Sequence, residues 1–92
     1  MDEDLDYSDM THEETQVLLY KFGAIEKHRR LSGDRFIAWM TFKVFENSIY
    51  SKRLVDKGYF EVVIYEYSAD VQLYFSEKGW KIANLLNSFS KL

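Results

Sequence analysis

No cysteine occurs in the 92 residues, which excludes a disulfide framework and a thiolate zinc site. His12 and His28 are the only histidines and lack metal-ligand spacing, so neither a metal nor another cofactor is expected. The chain has no glycine-rich phosphate loop, and Glu13 and Glu14 suit helix capping better than acid-base chemistry. An enzyme is therefore not expected. No uncharged run approaches the roughly 20 apolar residues that span a bilayer. The amino terminus, Met1-Asp2-Glu3-Asp4, is acidic where a secretory signal is basic. These absences lead us to expect a cytoplasmic protein without membrane contact.

What is present is core material. The apolar share is 47%, with seven Phe, seven Tyr and two Trp, enough to pack one domain and too much for a disordered chain. The net charge of -3 hides a segregation. Residues 1–20 carry seven carboxylates and no Lys or Arg, whereas residues 21–60 carry nine Lys or Arg against four acids. Attraction to phosphate depends on local field rather than total charge, so the acidic whole does not exclude DNA.

Along the chain, residues 1–10 read as an acidic, solvated leader and residues 11–92 as the folded domain. Thr11-His12-Glu13-Glu14 is a capping box, which starts a helix running to about Lys27 with Val17, Leu18, Phe22 and Ile25 at helical spacing. The cluster Lys27-His28-Arg29-Arg30 then either offsets the helix dipole or meets phosphate. Ser32 offers a cap for a short helix over Gly33 to Met40, with Phe36 and Met40 four apart. Thr41 to Phe45 reads as a connection. Glu46 to Lys57 reads as a helix with Tyr50 and Leu54 inward and Lys52 and Arg53 outward, closed by Gly58. Beyond Gly58 the period changes to two: Phe60, Val62 and Ile64, a turn at Ser68-Ala69-Asp70, then Val71, Leu73 and Phe75 make a hairpin. Ser76 caps a last helix from Glu77, with Ile82, Leu85, Phe89 and Leu92 along one seam. The class is α+β, in the order helix, helix, helix, hairpin, helix.

Two stretches resemble a known family. Leu54-Val55-Asp56-Lys57-Gly58-Tyr59-Phe60 is similar to the end of a recognition helix in the winged helix-turn-helix superfamily, especially regulators of the MarR, ArsR and PadR kinds. Val71 to Trp80, with Ser76-Glu77-Lys78-Gly79, is similar to the strand after the wing and the "Thr/Ser-Glu-Lys-Gly" start of the last helix. The resemblance covers about residues 11–90. It implies a winged helix-turn-helix of three helices, a β-hairpin wing and a C-terminal dimerisation helix. The sequence departs from that pattern at Thr41, where Gly is common, at Asn47, where Val or Ile is usually buried, and at the wing tip. Glu66-Tyr67-Ser68-Ala69-Asp70 carries carboxylates where wings commonly bring bases.

The resemblance implies a dimeric, sequence-specific binder of double-stranded DNA, a transcriptional regulator or a plasmid or viral DNA-binding adaptor. The recognition helix would offer Lys43, Glu46, Asn47, Ser48, Tyr50, Ser51, Lys52 and Arg53 to the major groove, with Arg29, Arg30 and Arg35 as weaker phosphate contacts. Val17, Leu18, Ile82, Leu85, Phe89 and Leu92 are the expected homodimer stripe, with packing inside one chain as the bland alternative. A second reading is a winged-helix protein-interaction module without DNA binding, an antirepressor or assembly factor, suggested by the acidic leader, the acidic wing and the net charge. Trp39, Trp80 and the tyrosines either line a pocket for a small-molecule effector or belong to the core, and composition favours the core.

Overall fold

Thr11 opens the first helix by reciprocal capping. In the computed structural model, which describes residues 6–27 and 35–90 apart from the side chains of Glu26, Lys27 and Ser90, the Glu14 amide donates to Thr11 Oγ1 at 3.2 Å. Glu14 Oε1 accepts from the Thr11 amide at 3.0 Å in return. Helix α1, His12–Lys27, then buries Glu14, Leu18, Phe22 and Ile25 along one face. Of the expected leader, the described residues 6–10 are tied down, with Tyr7 and Met10 packed against the core.

The short helix expected over Gly33 to Met40 is instead a strand wherever the chain is described: β1 spans Phe36–Thr41. Ser32 and Gly33, on which the helix expectation rested, lie outside the described residues. The local i,i+4 pair of Phe36 and Met40 gives way to a ladder: Ala38, Trp39, Met40 and Thr41 pair with Leu73, Gln72, Val71 and Asp70. Aromatic and β-branched side chains pack well on a pleated surface, and a tertiary ladder overrides weak helix propensity. A register irregularity between Phe36 and Ala38 lets Ile37 turn inward and be buried.

The connection expected over Thr41 to Phe45 is also helical. Thr41 is its N-cap, accepting from the Val44 amide at 3.1 Å, and α2 spans Phe42–Glu46 with Phe45 buried. Asn47 and Ser48 form the turn, and α3 spans Ile49–Asp56, shorter than the predicted Glu46 to Lys57. Its carboxyl end matches expectation. Gly58 sits at φ 87, its amide reaches Val55 O at 3.0 Å, and the Tyr59 amide reaches Leu54 O at 2.8 Å. That nested pair of bonds needs a left-handed residue at Gly58.

Strands β2, Phe60–Ile64, and β3, Asp70–Phe75, form the expected hairpin. β3 is central, giving an antiparallel sheet of order β1-β3-β2. The inner face of β3, Val71, Leu73 and Phe75, is fully buried against α1 and α4, the latter spanning Glu77–Ser90. Edge-to-face contacts join Phe75 to Phe22 at 6.1 Å, to Phe60 at 5.2 Å and to Trp80 at 5.5 Å. Such pairs add about 0.5–1.5 kcal/mol each beyond burial. Trp80 is thus core, but Trp39 is 56% exposed on the outer sheet face, stacked on Tyr65. The result is an α+β domain of four helices and a three-stranded antiparallel sheet among the described residues. No described helix is long and apolar enough to cross a membrane.

Ser76 and Gly79 lock α4 onto this frame. Ser76 Oγ accepts from the Gly79 amide at 2.9 Å as the expected cap, and also donates to Gly58 O at 2.6 Å. The Ser76 amide donates to Tyr59 O at 3.0 Å. A side chain at Gly79 would collide with the Tyr59 backbone, so glycine is what allows α4 to start here.

Candidate functional site

The α2–α3 corner carries most of the sequence-predicted site. Leu54 and Ser51 turn into the core, Leu54 completely and Ser51 with 6% of its surface left. At 100° per residue this puts Ile49, Arg53 and Asp56 on the opposite, outward line, with Lys52 on one flank and Tyr50 on the other. The inward pair is therefore Ser51 and Leu54, not the expected Tyr50 and Leu54. Tyr50 is exposed, and Ser51 keeps only a small edge at the surface.

The remaining candidates are brought together only in part. Lys43, Glu46 and Asn47 are exposed on α2 and the turn, and Ser48 is half-buried beside them. The Ser48 hydroxyl is spent on Val44 O at 2.8 Å. Lys52 faces Glu46 at 3.6 Å with both side chains partly in solvent, a pairing that water screens to little net energy. The Arg53 guanidinium lies 5.8 Å from the Tyr50 ring centre, within cation–π range. Arg35 is elsewhere: at the end of the sheet it donates to Phe75 O at 3.3 Å and faces Glu61 at 3.9 Å. Arg29, Arg30 and Leu92 lie outside the described residues.

The sequence-predicted dimer stripe is corrected at two positions. Leu18 and Ile82 are fully buried within one chain and have no surface to offer a partner. They serve the core because α1 and α4 pack on the same sheet face. Val17 and Leu85 are half-buried, and Phe89 is exposed.

Sequence reasoning missed several exposed apolar residues at this corner: Ile49, 60% exposed, with Tyr20, Phe42 and Val44. The signal was the small Ser51 at a core position, which rotates the helix by roughly one residue from the larger-residue pattern. Between α1 and the start of α3 lies an open groove of about 640 Å³ lined by Val17, Tyr20, Lys21, Ser48, Ile49 and Tyr50. Lys21 is the charged member of that lining.

Lys57, counted among the central bases, is not a site residue. Its ammonium donates to Glu14 Oε1 at 2.6 Å and to Asp9 O at 2.6 Å, clamping the leader, α1 and the end of α3 together. Burial opposes the Glu14 charge, yet bonds from Lys57 and from the Thr11 amide outweigh it and hold this carboxyl below its usual range. Glu14 Oε2 is buried with no partner, so Lys57 is what makes the charge tolerable. Tyr59 is fully buried, and its hydroxyl donates to Asp9 Oδ1. Burial, then that bond, push the hydroxyl well above its ordinary value, so it stays a donor.

Neither a protein-family model nor a characterised protein nor a solved structure matches this chain. Among the described residues no cluster of three His, Asp or Glu is placed to hold a metal ion.

Proposed function

We propose that this chain is a winged helix-turn-helix protein that binds double-stranded DNA as a dimer, with α3 as the element that enters the major groove. The observation that carries the reading is the outward face of α3, where Lys52 and Arg53 flank Ile49 on a helix whose opposite face is anchored by Leu54. An α-helix fits the major groove by diameter, cations there meet phosphates or guanine edges, and an apolar side chain meets thymine methyls. The element order α1-β1-α2-α3-β2-β3-α4 and the sheet order β1-β3-β2 support the same architecture, with α2 and α3 as the helix-turn-helix and β2–β3 as the wing.

An eight-residue helix is about 12 Å long and reads few base pairs, so pairing of two copies is part of the proposal. The wing tip, with Glu66 and Asp70 and no base, is left out of the DNA contact. Binding of duplex DNA in a salt series tests the reading, with Lys52→Ala/Arg53→Ala as the variant that should lose it. A second reading, a protein-interaction module on the same corner, is favoured by the exposed Val44, Ile49 and Tyr50. It predicts no duplex binding at any salt concentration.

A further inference from the structure

The hairpin tip and the α1–α3 groove differ in the two respects that make surfaces complementary: an exposed aromatic with carboxylate neighbours on one, an apolar wall with a cation on the other. The tip is a built knob: the Ser68 amide donates to Tyr65 O at 3.1 Å, the Asp70 amide to Ser68 Oγ at 3.0 Å, and the Phe42 amide holds Ala69 O at 2.8 Å. From it Tyr67 projects with 94% of its surface exposed, the most exposed large apolar residue among those described. Its charged neighbours are Glu66 and Asp70, both carboxylates. The groove is walled by the apolar Val17, Tyr20, Ile49 and Tyr50 with Gln16, Asn47, Ser48 and Ser51 at its polar edge, and its charge is the cation Lys21.

We propose that the hairpin tip of one copy seats in the α1–α3 groove of a second copy, with Tyr67 among the groove's aromatic walls and Glu66 facing Lys21. A single aromatic knob buries on the order of 150–250 Å², well under the roughly 800 Å² per partner of a standard stable interface. The contact is therefore weak and concentration-dependent. Knob and groove are different surfaces, so one-way insertion propagates and reciprocal insertion closes a pair. The inference stands apart from the DNA reading except in one consequence: Ile49 belongs to both surfaces, so the docked tip and duplex DNA exclude each other.

Sedimentation of the full chain between about 10 μM and 1 mM, the range expected of so small a contact, tests it. Tyr67→Ser, Glu66→Lys and Lys21→Glu change exposed or half-exposed side chains, and circular dichroism checks that each stays folded. The expected result is association by the parent chain that Tyr67→Ser weakens at least about tenfold. Each charge reversal weakens it as well, and Lys21→Glu combined with Glu66→Lys restores most of it. A parent chain that stays monomeric over the range overturns the proposal. So does association that ignores Tyr67→Ser, or that responds only to Phe89→Ser on α4. Duplex binding measured separately with Lys52→Ala/Arg53→Ala reports on the DNA reading, so the two failures are distinguishable.

Discussion

Replacing Gly79 by alanine tests how the last helix is seated. A methyl there would stand 2.8 Å from the Tyr59 carbonyl carbon and closer still to its oxygen. Carbon atoms pack at about 3.5–4.0 Å, so α4 must back away by on the order of 1 Å. The obstacle is backbone, which cannot rotate aside as a side chain would. The same displacement stretches the bonds from Ser76 to Tyr59 O, at 3.0 Å, and to Gly58 O, at 2.6 Å. Overpacking costs about 1–3 kcal/mol, and each weakened bond about 1 kcal/mol. Alanine's better helix propensity returns about 1 kcal/mol. The net loss is about 2–4 kcal/mol, a fall in Tm of roughly 10–30 °C for a domain of this size. Gly23→Ala is the control: nothing lies within 4 Å of a side chain there, so it should gain about 0.5–1 kcal/mol. Thermal melts followed by circular dichroism read both. Gly79→Ala melting at or above the parent temperature, or Gly23→Ala losing as much as Gly79→Ala, refutes the reasoning.

Lys57→Met should cost about 3 kcal/mol in urea unfolding, because it leaves the Glu14 carboxylate buried without its cation. The parent chain's acid limb has a definite sign. Glu14 titrates lower in the fold than its ordinary 4.5, so its contribution is complete above that pH and is lost as the pH drops through the folded value. In Lys57→Met burial, the largest influence on Glu14, is left without the lysine that opposes it and lifts the carboxyl, so this part of the acid limb reverses and the variant regains stability as the pH falls. An acid limb like the parent's would contradict the assigned pair. Ser76→Ala removes both the cap of α4 and the bond to Gly58 O, and should cost about 1–2 kcal/mol by denaturant midpoint. Lys52→Ala/Arg53→Ala should leave stability within about 0.5 kcal/mol, since both side chains face solvent.

How much of this was legible beforehand divides along physical lines. Signals that close on themselves locally were readable: the Thr11–Glu14 capping box, Gly58 at the end of α3, the alternating β2–β3 hairpin, and Ser76 as the cap of α4. Where a distant partner decides, local pattern misled. Phe36 and Met40 are four apart, as on a helix face, but the ladder to β3 makes their segment a strand. Leu18 and Ile82 resembled spare stripe because the area of the sheet they cover is invisible in sequence. The helix expected over Glu46 to Lys57 exists in shortened form, and its inward face was read with the wrong rotation. Ser51, small and polar, sits inward beside Leu54, while Tyr50 and Ile49 face out. Lys57 and Arg35 counted as free basic charge because nothing local announces Glu14 or Glu61 across the fold.

The central claim, that the α3 face grips a duplex, is tested most directly by fluorescence anisotropy of labelled duplex DNA with the parent chain and Lys52→Ala/Arg53→Ala from about 50 to 200 mM salt. The account predicts that affinity falls with salt at a slope near −0.9 per phosphate neutralised. It also predicts that the double variant binds at least about tenfold more weakly, with a slope shallower by about two. Equal binding by both proteins, or none by the parent at the lowest salt, contradicts it.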